Sequence, residues 1–189
     1  MTLMFYVNYK STMKKLLLAP LFLIFTMAST AQVNWMTLEE AQEALEKEPR
    51  KILIDVYTLW CGPCKMMEAQ TFKNPKIAEY INKNFYAVKF NAEGPEPITF
   101  KGKKFENPNY QEGRRGRNGT HQLAYAIAGV NGRLSYPTVV YLDENLNIIS
   151  PVPGFMRPPQ IEPLLNFIVE DAYEDTEYEE YKNNFESKL

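Results

Sequence analysis

The sequence predicts an α/β domain in which a central mixed β-sheet is flanked by helices on both faces. The most direct indication is the nearly continuous apolar and β-branched run Lys51–Tyr57, typical of a central strand covered on both faces. Helix patterns alternate with strand patterns along the chain, and the last two strand patterns are joined by a tight turn from Asp143 to Asn145. Alternation favours parallel strands and the tight turn requires an antiparallel pair, so we expect a mixed sheet.

Two helices in the first half of the chain are indicated by their starting residues. Thr37 and Glu40 have the spacing of a capping box, which predicts a helix that extends to about Glu48. Asn74 as N-cap, with Pro75 at the first helical position, predicts a second helix.

A second strand is predicted over Phe85–Asn91, and it is followed by a long irregular segment. Residues 93–119 are rich in Gly, Pro, Asn and charged residues. We interpret them as an inserted loop between the second strand and the following helix, with one short hairpin around Gly102, and not as a second domain. Thr120 is then expected to cap a helix that extends to about Ala128.

The C-terminal part of the chain predicts two strands, a helix and a separate tail. The strand patterns "PTVVYLD" and "LNIIS" precede a helix whose apolar residues keep one-face spacing up to Tyr173. Residues 174–189 are acidic and carry Tyr178, Tyr181 and Phe185 on a shifted stripe. We expect this tail to be a separate amphipathic piece or partly disordered.

The first 31 residues have the pattern of a secretory signal peptide. Basic residues at positions 14 and 15 precede an apolar run at 16–27 and four small residues that end at Ala31. The run is shorter than the roughly 18 to 20 residues needed to span a bilayer, which favours cleavage after Ala31 over a membrane anchor. The mature domain is then 32–173 and the protein periplasmic or secreted. The twelve residues before Met13 have no role in such a signal, which makes Met13 an alternative translation start.

Composition and charge narrow the range of functions. The chain has 189 residues, 45% hydrophobic and 23% charged, which is ordinary for one globular domain. Loss of Lys10, Lys14 and Lys15 with the signal peptide leaves 18 basic against 23 acidic groups, a formal charge of about −5. We therefore expect no nucleic-acid partner.

The two cysteines of the chain, Cys61 and Cys64, are separated by Gly62 and Pro63. Cys61 falls where the predicted strand ends and a helix begins, so backbone N–H groups face its sulfur and favour the thiolate. Cys64 lies about one turn further along and can resolve a mixed disulfide formed by Cys61. Gly62 permits the tight turn and Pro63 suits the first helical turn. The pattern predicts a redox-active pair.

Other interpretations of these features are weaker. A structural zinc site needs four ligands, and besides the cysteines the chain offers a single histidine, His121, so we expect no metal and no cofactor. A disulfide that only stabilises the fold would have no need of Gly-Pro at a helix start. We interpret His121 as an ordinary first-turn helix residue. Arg114, Arg115 and Arg117 form either a solvated loop or a docking patch, and Asn118 heads a glycan-acceptor pattern of little weight in a bacterial-type export product.

The residues around the cysteines resemble the active site of the thioredoxin family. The similar positions are Trp60-Cys61-Gly62-Pro63-Cys64-Lys65, Asp55 six residues before Cys61, Lys89, and Tyr136-Pro137-Thr138, which resembles the cis-proline loop. The similarity covers roughly residues 51–171 and implies a thioredoxin fold. The stretch "TFKNPKIAEYI" is more similar to exported thioredoxin-like reductases. Residues 93–119, and three extra residues within 129–137, depart from the family.

The resemblance also implies roles for these residues. Asp55, buried in its strand, would have a raised pKa and accept the proton of Cys64, and Lys89 would modulate that acid. A cis peptide before Pro137 would present the Tyr136 backbone to an extended substrate, and Trp60 would cover the edge of the site. The residues expected to meet the substrate are Trp60, Gly62, Pro63, Tyr136, Pro137 and Thr138.

The sequence therefore predicts an exported thiol-disulfide oxidoreductase that reduces disulfides of extracytoplasmic client proteins. Cys61 would attack, Cys64 would resolve, and a membrane thiol-disulfide electron donor would restore the dithiol. The reductive direction rests on the Gly-Pro between the cysteines and on the resemblance. The alternative is a binding or holdase module of the same fold, in which residues 93–119 and the tail hold a partner and redox activity is secondary.

Overall fold

The computed structural model of the chain describes residues 32–188. The predicted signal peptide and the alternative start at Met13 lie outside the described residues. Within the described range, none of the helices is long and apolar enough to cross a membrane. The elements are, in order, β1 (Trp35–Met36), α1 (Leu38–Leu45), β2 (Lys51–Tyr57), α2 (Gly62–Met67), α3 (Pro75–Asn84), β3 (Phe85–Asn91), β4 (Ile98–Phe100), β5 (Lys103–Phe105), α4 (Gln122–Ala128), β6 (Thr138–Leu142), β7 (Ile148–Pro153), α5 (Pro158–Val169) and α6 (Tyr178–Asn183).

The main sheet has five strands in the order β1-β3-β2-β6-β7. The strands β1, β3 and β2 are parallel, whereas β6 and β7 pair antiparallel. The predicted mixed sheet is therefore confirmed, and β2 is its central strand, with six of its seven residues buried. Asp55 of β2 pairs with Lys89 on one side and with Val139 on the other.

Alternating residues of β2 face two separate hydrophobic cores. Leu53 belongs to a core that contains apolar residues of α3 and α5, together with Met67 of α2. Ile52, Ile54 and Val56 belong to the other core, which contains residues of α1 and α4. Because side chains alternate along a strand, Asp55 lies on the same face as Leu53, beneath α2. This periodicity places an ionisable side chain under the cysteines.

Most predicted elements have the expected bounds. The strands β2 and β3 have the predicted bounds, and Thr37 and Asn74 cap α1 and α3 as predicted. The hairpin expected around Gly102 is the two-stranded sheet of β4 and β5. The helix α1 ends at Leu45, three residues earlier than predicted, and a turn follows it.

The predicted start of α4 is wrong, because His121 and not Thr120 is its N-cap. The Nδ1 atom of His121 accepts a hydrogen bond from the Leu123 N–H at 3.1 Å, so the proton resides on Nε2, which donates to the Glu96 carbonyl. The His121 side chain is fully buried and contacts the edge of Phe90. It is therefore a buried capping residue and not an ordinary first-turn residue.

The helix predicted to continue to Tyr173 ends at Val169. Asp171 adopts a left-handed backbone conformation with φ 55°, and its carboxylate pairs with the buried Lys51 ammonium at 2.6 Å. A single 3₁₀ turn follows, and the tail then forms α6. The rings of Tyr173, Tyr178 and Tyr181 all contact Phe167 of α5, so the tail is docked on the domain.

Candidate active site

The two cysteines lie at the start of α2, directly after the carboxyl end of β2. Cys61 is the N-cap of α2, and its Sγ accepts a hydrogen bond from the Cys64 backbone N–H at 3.1 Å. The two residues form a disulfide, and Pro63 occupies the first turn as predicted. Cys61 is only 2% exposed and Cys64 6%, whereas Gly62 and Pro63 are exposed. The exposed residues between the cysteines are therefore Gly62 and Pro63, not the cysteines themselves.

Asp55 lies beneath the cysteines with 3% of its surface exposed. The Lys89 ammonium is 3.6 Å from Asp55 Oδ2 and also bonds the Glu68 carboxylate. Burial raises the pKa of Asp55 from 3.8 to about 6, although the charge of Lys89 opposes the rise; the negative charge of Glu68 adds to it. Oδ1 accepts no hydrogen bond from any residue in the described range. Asp55 is thus suited to change its protonation state near neutral pH.

Asp55 and Cys64 line the same pocket, a cavity of about 280 Å³. Lys89 and Glu68, which are 25% and 32% exposed at their side chains, line it as well. Exposure to solvent therefore increases from Asp55 to Lys89 and from Lys89 to Glu68. This arrangement gives Asp55 a polar connection to solvent on the side of Cys64.

Lys89 is held by aromatic rings as well as by carboxylates. Its ammonium lies 4.7 Å from the centre of the Trp35 ring and 5.4 Å from that of Tyr57. Trp35 belongs to β1, which the sequence analysis did not predict. Glu68 was missed too, although its position four residues after Cys64, one helical turn further along, is a usable signal.

The predicted cis-proline loop lies at the same end of the sheet. The Tyr136–Pro137 peptide bond is cis, and the Pro137 carbonyl accepts a hydrogen bond from the Gly154 N–H at 2.8 Å. Thr138 begins β6, pairs with Val56 near the carboxyl end of β2, and donates its hydroxyl to the Ser135 carbonyl. The structure therefore brings Tyr136, Pro137 and Thr138 to the end of β2 that carries the cysteines.

Trp60 joins the cysteines, the cis-proline loop and residues 93–119. Its indole Nε1 donates to Glu93 Oε2 at 2.8 Å, and its ring makes an edge contact with Tyr136. The Arg117 guanidinium lies 4.6 Å from the ring centre. Glu93 also accepts the Asn118 N–H at 2.9 Å. The sequence analysis did not identify Glu93 as a site residue, since only the fold brings it to Trp60.

Within residues 32–188, no group of three or more His, Cys, Asp or Glu side chains is arranged to hold a metal ion.

Comparison with known proteins agrees with the fold. A curated relative, the thiol:disulfide interchange protein DsbD of Pectobacterium atrosepticum, is 29% identical over 68 residues, which is 32% of this chain and 12% of that protein. This chain thus spans only a small part of that relative's length.

Two solved structures have the same fold. A thioredoxin-fold protein from Helicobacter pylori is 21% identical, with a TM-score of 0.50 and coverage of 77% of this chain and 98% of that one. A thioredoxin from Thermus thermophilus is 15% identical, with a TM-score of 0.50 and coverage of 71% and 85%. At these identities the likeness concerns the fold alone.

A family model described as a thioredoxin-like domain matches residues 38–168, which include both cysteines, Asp55 and the cis-proline loop. By this match, and by a Cys61–Cys64 pair that fits the Cys-x-x-Cys site, the chain belongs to the thioredoxin-like family of thiol:disulfide oxidoreductases.

Proposed function

We propose that this chain reduces disulfides of proteins outside the cytoplasm. The observation that carries the proposal is the pocket shared by Cys64 and Asp55, together with the Cys61 sulfur, which is bonded to Cys64 and accepts a backbone N–H. The arrangement supplies a nucleophile, a resolving thiol and a base in one place.

The reaction proceeds by two thiol–disulfide exchanges. The Cys61 thiolate attacks one sulfur of the client disulfide, so that a Cys61–client disulfide forms and the other client sulfur leaves as a thiolate. Asp55 accepts the proton of Cys64, and the Cys64 sulfur then attacks Cys61 Sγ. The second client sulfur leaves as a thiolate, so the client has gained two electrons, and its two thiolates take up protons from the solvent. The enzyme ends with the Cys61–Cys64 disulfide.

Asp55 has a suitable pKa for this step. At a pKa of about 6 the carboxyl is mostly ionised at neutral pH, yet it binds a proton far better than an exposed aspartate. The charges of Lys89 and Glu68, at the more exposed end of the pocket, connect Asp55 to solvent, where its proton is returned after each turnover.

A second dithiol must restore the reduced enzyme, and we propose a membrane thiol-disulfide electron donor. The name of the matched relative, thiol:disulfide interchange protein, supports this class of partner. The signal-peptide pattern of residues 1–31 supports an extracytoplasmic site, periplasmic or secreted. These two observations agree, since the donor and the clients would meet outside the cytoplasm.

The surface around the cysteines is suited to meet protein clients. Leu59 and Trp60, just before Cys61, are 70% and 36% exposed, and Met66, in the second turn of α2, is 45% exposed. Exposed apolar side chains next to a reactive site are typical of a protein-binding surface. The same patch favours the alternative of a holdase, which would bind unfolded chains without exchange. The two functions separate in a variant that lacks both sulfurs: a holdase keeps its activity and a reductase loses it.

The reductive direction is tested by equilibrating the protein with defined glutathione mixtures and measuring the fraction of Cys61–Cys64 disulfide. We expect a reduction potential towards the thioredoxin value of about −270 mV, since Gly-Pro separates the cysteines. A potential near about −120 mV, at the oxidising end of the family, would overturn the assignment as a reductase.

A further inference from the structure

A cleft of about 550 Å³ opens beside Trp60, between two segments that depart from the thioredoxin pattern. One wall is the end of the segment 93–119, which contributes Glu93 and Arg117, and the other is the loop 132–136, which contributes Arg133. Tyr136, which precedes the cis-proline, also lines the cleft. The cleft therefore adjoins the place where a client chain would lie.

The charged side chains that line this cleft differ in how accessible they are to a ligand. Glu93 is 9% exposed, and its Oε2 already accepts hydrogen bonds from Trp60 Nε1 and from the Asn118 N–H. Arg117 and Arg133 are both exposed. Arg117 lies over the Trp60 ring, and neither guanidinium forms an ion pair with a carboxylate of residues 32–188. The charge presented to an incoming group is therefore positive.

This positive cleft contrasts with the rest of the protein. The full chain has a formal charge of −2, and its predicted mature form is more acidic. Electrostatics of the molecule as a whole would repel an acidic client, so attraction of acidic groups has to arise locally. Arg114 and Arg115, which do not line the cleft, are exposed in the same segment and add to its positive charge.

We propose that this cleft is a specificity site that binds an acidic side chain of the client, next to the cysteine that Cys61 attacks. Arg117 and Arg133 would pair with the carboxylate, and the exposed Tyr125 ring and Leu134 would contact its stem and neighbours. The occupant is a protein segment, because the cleft continues into the Trp60 and Tyr136 surface beside the disulfide. The inference rests on the proposed reductase function and specifies its substrate class.

The test uses three peptides that share one sequence and one disulfide, with the residues flanking the cysteine set to Asp, Asn or Lys. The second-order rate constant for oxidation of the reduced protein by each peptide is divided by that of the same peptide with dithiothreitol. This division removes the effect of the flanking residues on the disulfide itself. We expect a normalised preference for Asp over Asn of about fivefold at low ionic strength, which decreases as salt screens the pairs.

Variants of Arg133 distinguish the cleft from the general field of the protein. Arg133→Gln should reduce the preference for Asp, and Arg133→Glu should reverse the order of the Asp and Lys peptides. The matched control is Lys47→Gln, which removes an exposed positive charge at the opposite end of β2 and should leave the preference unchanged. Arg117→Lys keeps the positive charge over Trp60 and should retain most of the preference for the Asp peptide. Arg117→Gln removes that charge and should lose most of the preference.

Equal normalised rates for the Asp and Asn peptides, or a preference for Lys in the unaltered protein, would overturn the inference. Reduction of the Asn peptide would in that case leave the proposed function standing. Failure to reduce any of the three peptides would contradict the proposed function itself, and the specificity site with it.

Discussion

Asp55 combines a structural cost with the chemical role that we propose for it. It lies on the central strand, 3% exposed, and the nearest positive charge, Lys89, is shared with Glu68. A carboxylate in such a position is poorly solvated, so folding is more favourable when it carries a proton. The same property makes Asp55 a base whose strength suits a thiol at neutral pH.

The variant Asp55→Asn should therefore increase the stability of the folded protein at neutral and higher pH. The folded state holds the Asp55 proton more tightly than the unfolded state, so the wild type loses stability relative to Asn as the pH rises from about 4 to about 6. The raised pKa corresponds to about 3 kcal/mol above pH 6, at about 1.4 kcal/mol per pH unit. Urea denaturation at about pH 4 and about pH 8 measures this difference, which should be near zero at the lower pH.

The same substitution should slow the resolving step. With no base beneath Cys64, the release of the client from the mixed disulfide should decrease at least about tenfold at neutral pH. The wild-type rate should fall as the pH decreases through about 6, and the variant should lack that inflection. A variant with wild-type release and an unchanged pH profile would show that Asp55 is only a buried structural acid.

At the residue scale, the sequence predicted the positions of those site residues that belong to a recognisable motif. Cys61, Cys64, Asp55 and Pro137 have recognisable spacing or neighbours, and the structure places them at one end of the sheet. Glu93 carries no local signal, because its partner Trp60 lies 33 residues away in the sequence. Contacts of this kind depend on how a loop folds back, which a pattern of residue types does not contain.

At the element scale, N-capping residues predicted where helices begin more accurately than apolar periodicity predicted where they end. The N-caps Thr37 and Asn74 act within one turn, so their effect is visible in the sequence. By contrast, α5 ends at Val169 although its apolar spacing continues to Tyr173, and the contact found just beyond that end is a long-range ion pair of Asp171 with Lys51. Apolar spacing alone does not mark this end. The strand β1 has only two residues and exists because β3 offers it an edge.

The docking of the tail on α5 is a tertiary contact that can be measured. Tyr181 contacts the rings of Phe167 and Phe185 and donates its hydroxyl to the Glu170 carboxylate at 2.7 Å. Tyr181→Ala should lower the free energy of unfolding by about 2 kcal/mol, since each aromatic pair contributes about 0.5 to 1.5 kcal/mol.

The matched control, Tyr181→Phe, keeps the ring and loses the hydrogen bond alone, so it should cost about 1 kcal/mol or less. Both values are obtained from urea denaturation at neutral pH. If Tyr181→Ala unfolds at the wild-type urea concentration, the tail does not contribute to the folded domain in solution.

At the scale of the whole molecule, the order of the strands explains how the proposed catalytic residues come together. Asp55 lies within the central strand β2, and Cys61 follows the carboxyl end of that strand. Pro137 directly precedes the antiparallel neighbour β6, which begins at the same end of the sheet. Residues 93–119 and the loop 132–136 then close around Trp60 on one side. The fold thus brings three distant parts of the chain to one disulfide.

The most direct test of this account is to trap the client on the enzyme. Reduced Cys64→Ser protein is mixed with a disulfide-containing protein such as insulin, the thiols are blocked, and the covalent products are identified by mass spectrometry. We predict a stable mixed disulfide through Cys61, and no such adduct and no insulin reduction with Cys61→Ser. An adduct through Cys64 in the Cys61→Ser protein, or full turnover by either variant, would contradict the assignment of Cys61 as nucleophile and Cys64 as resolving thiol.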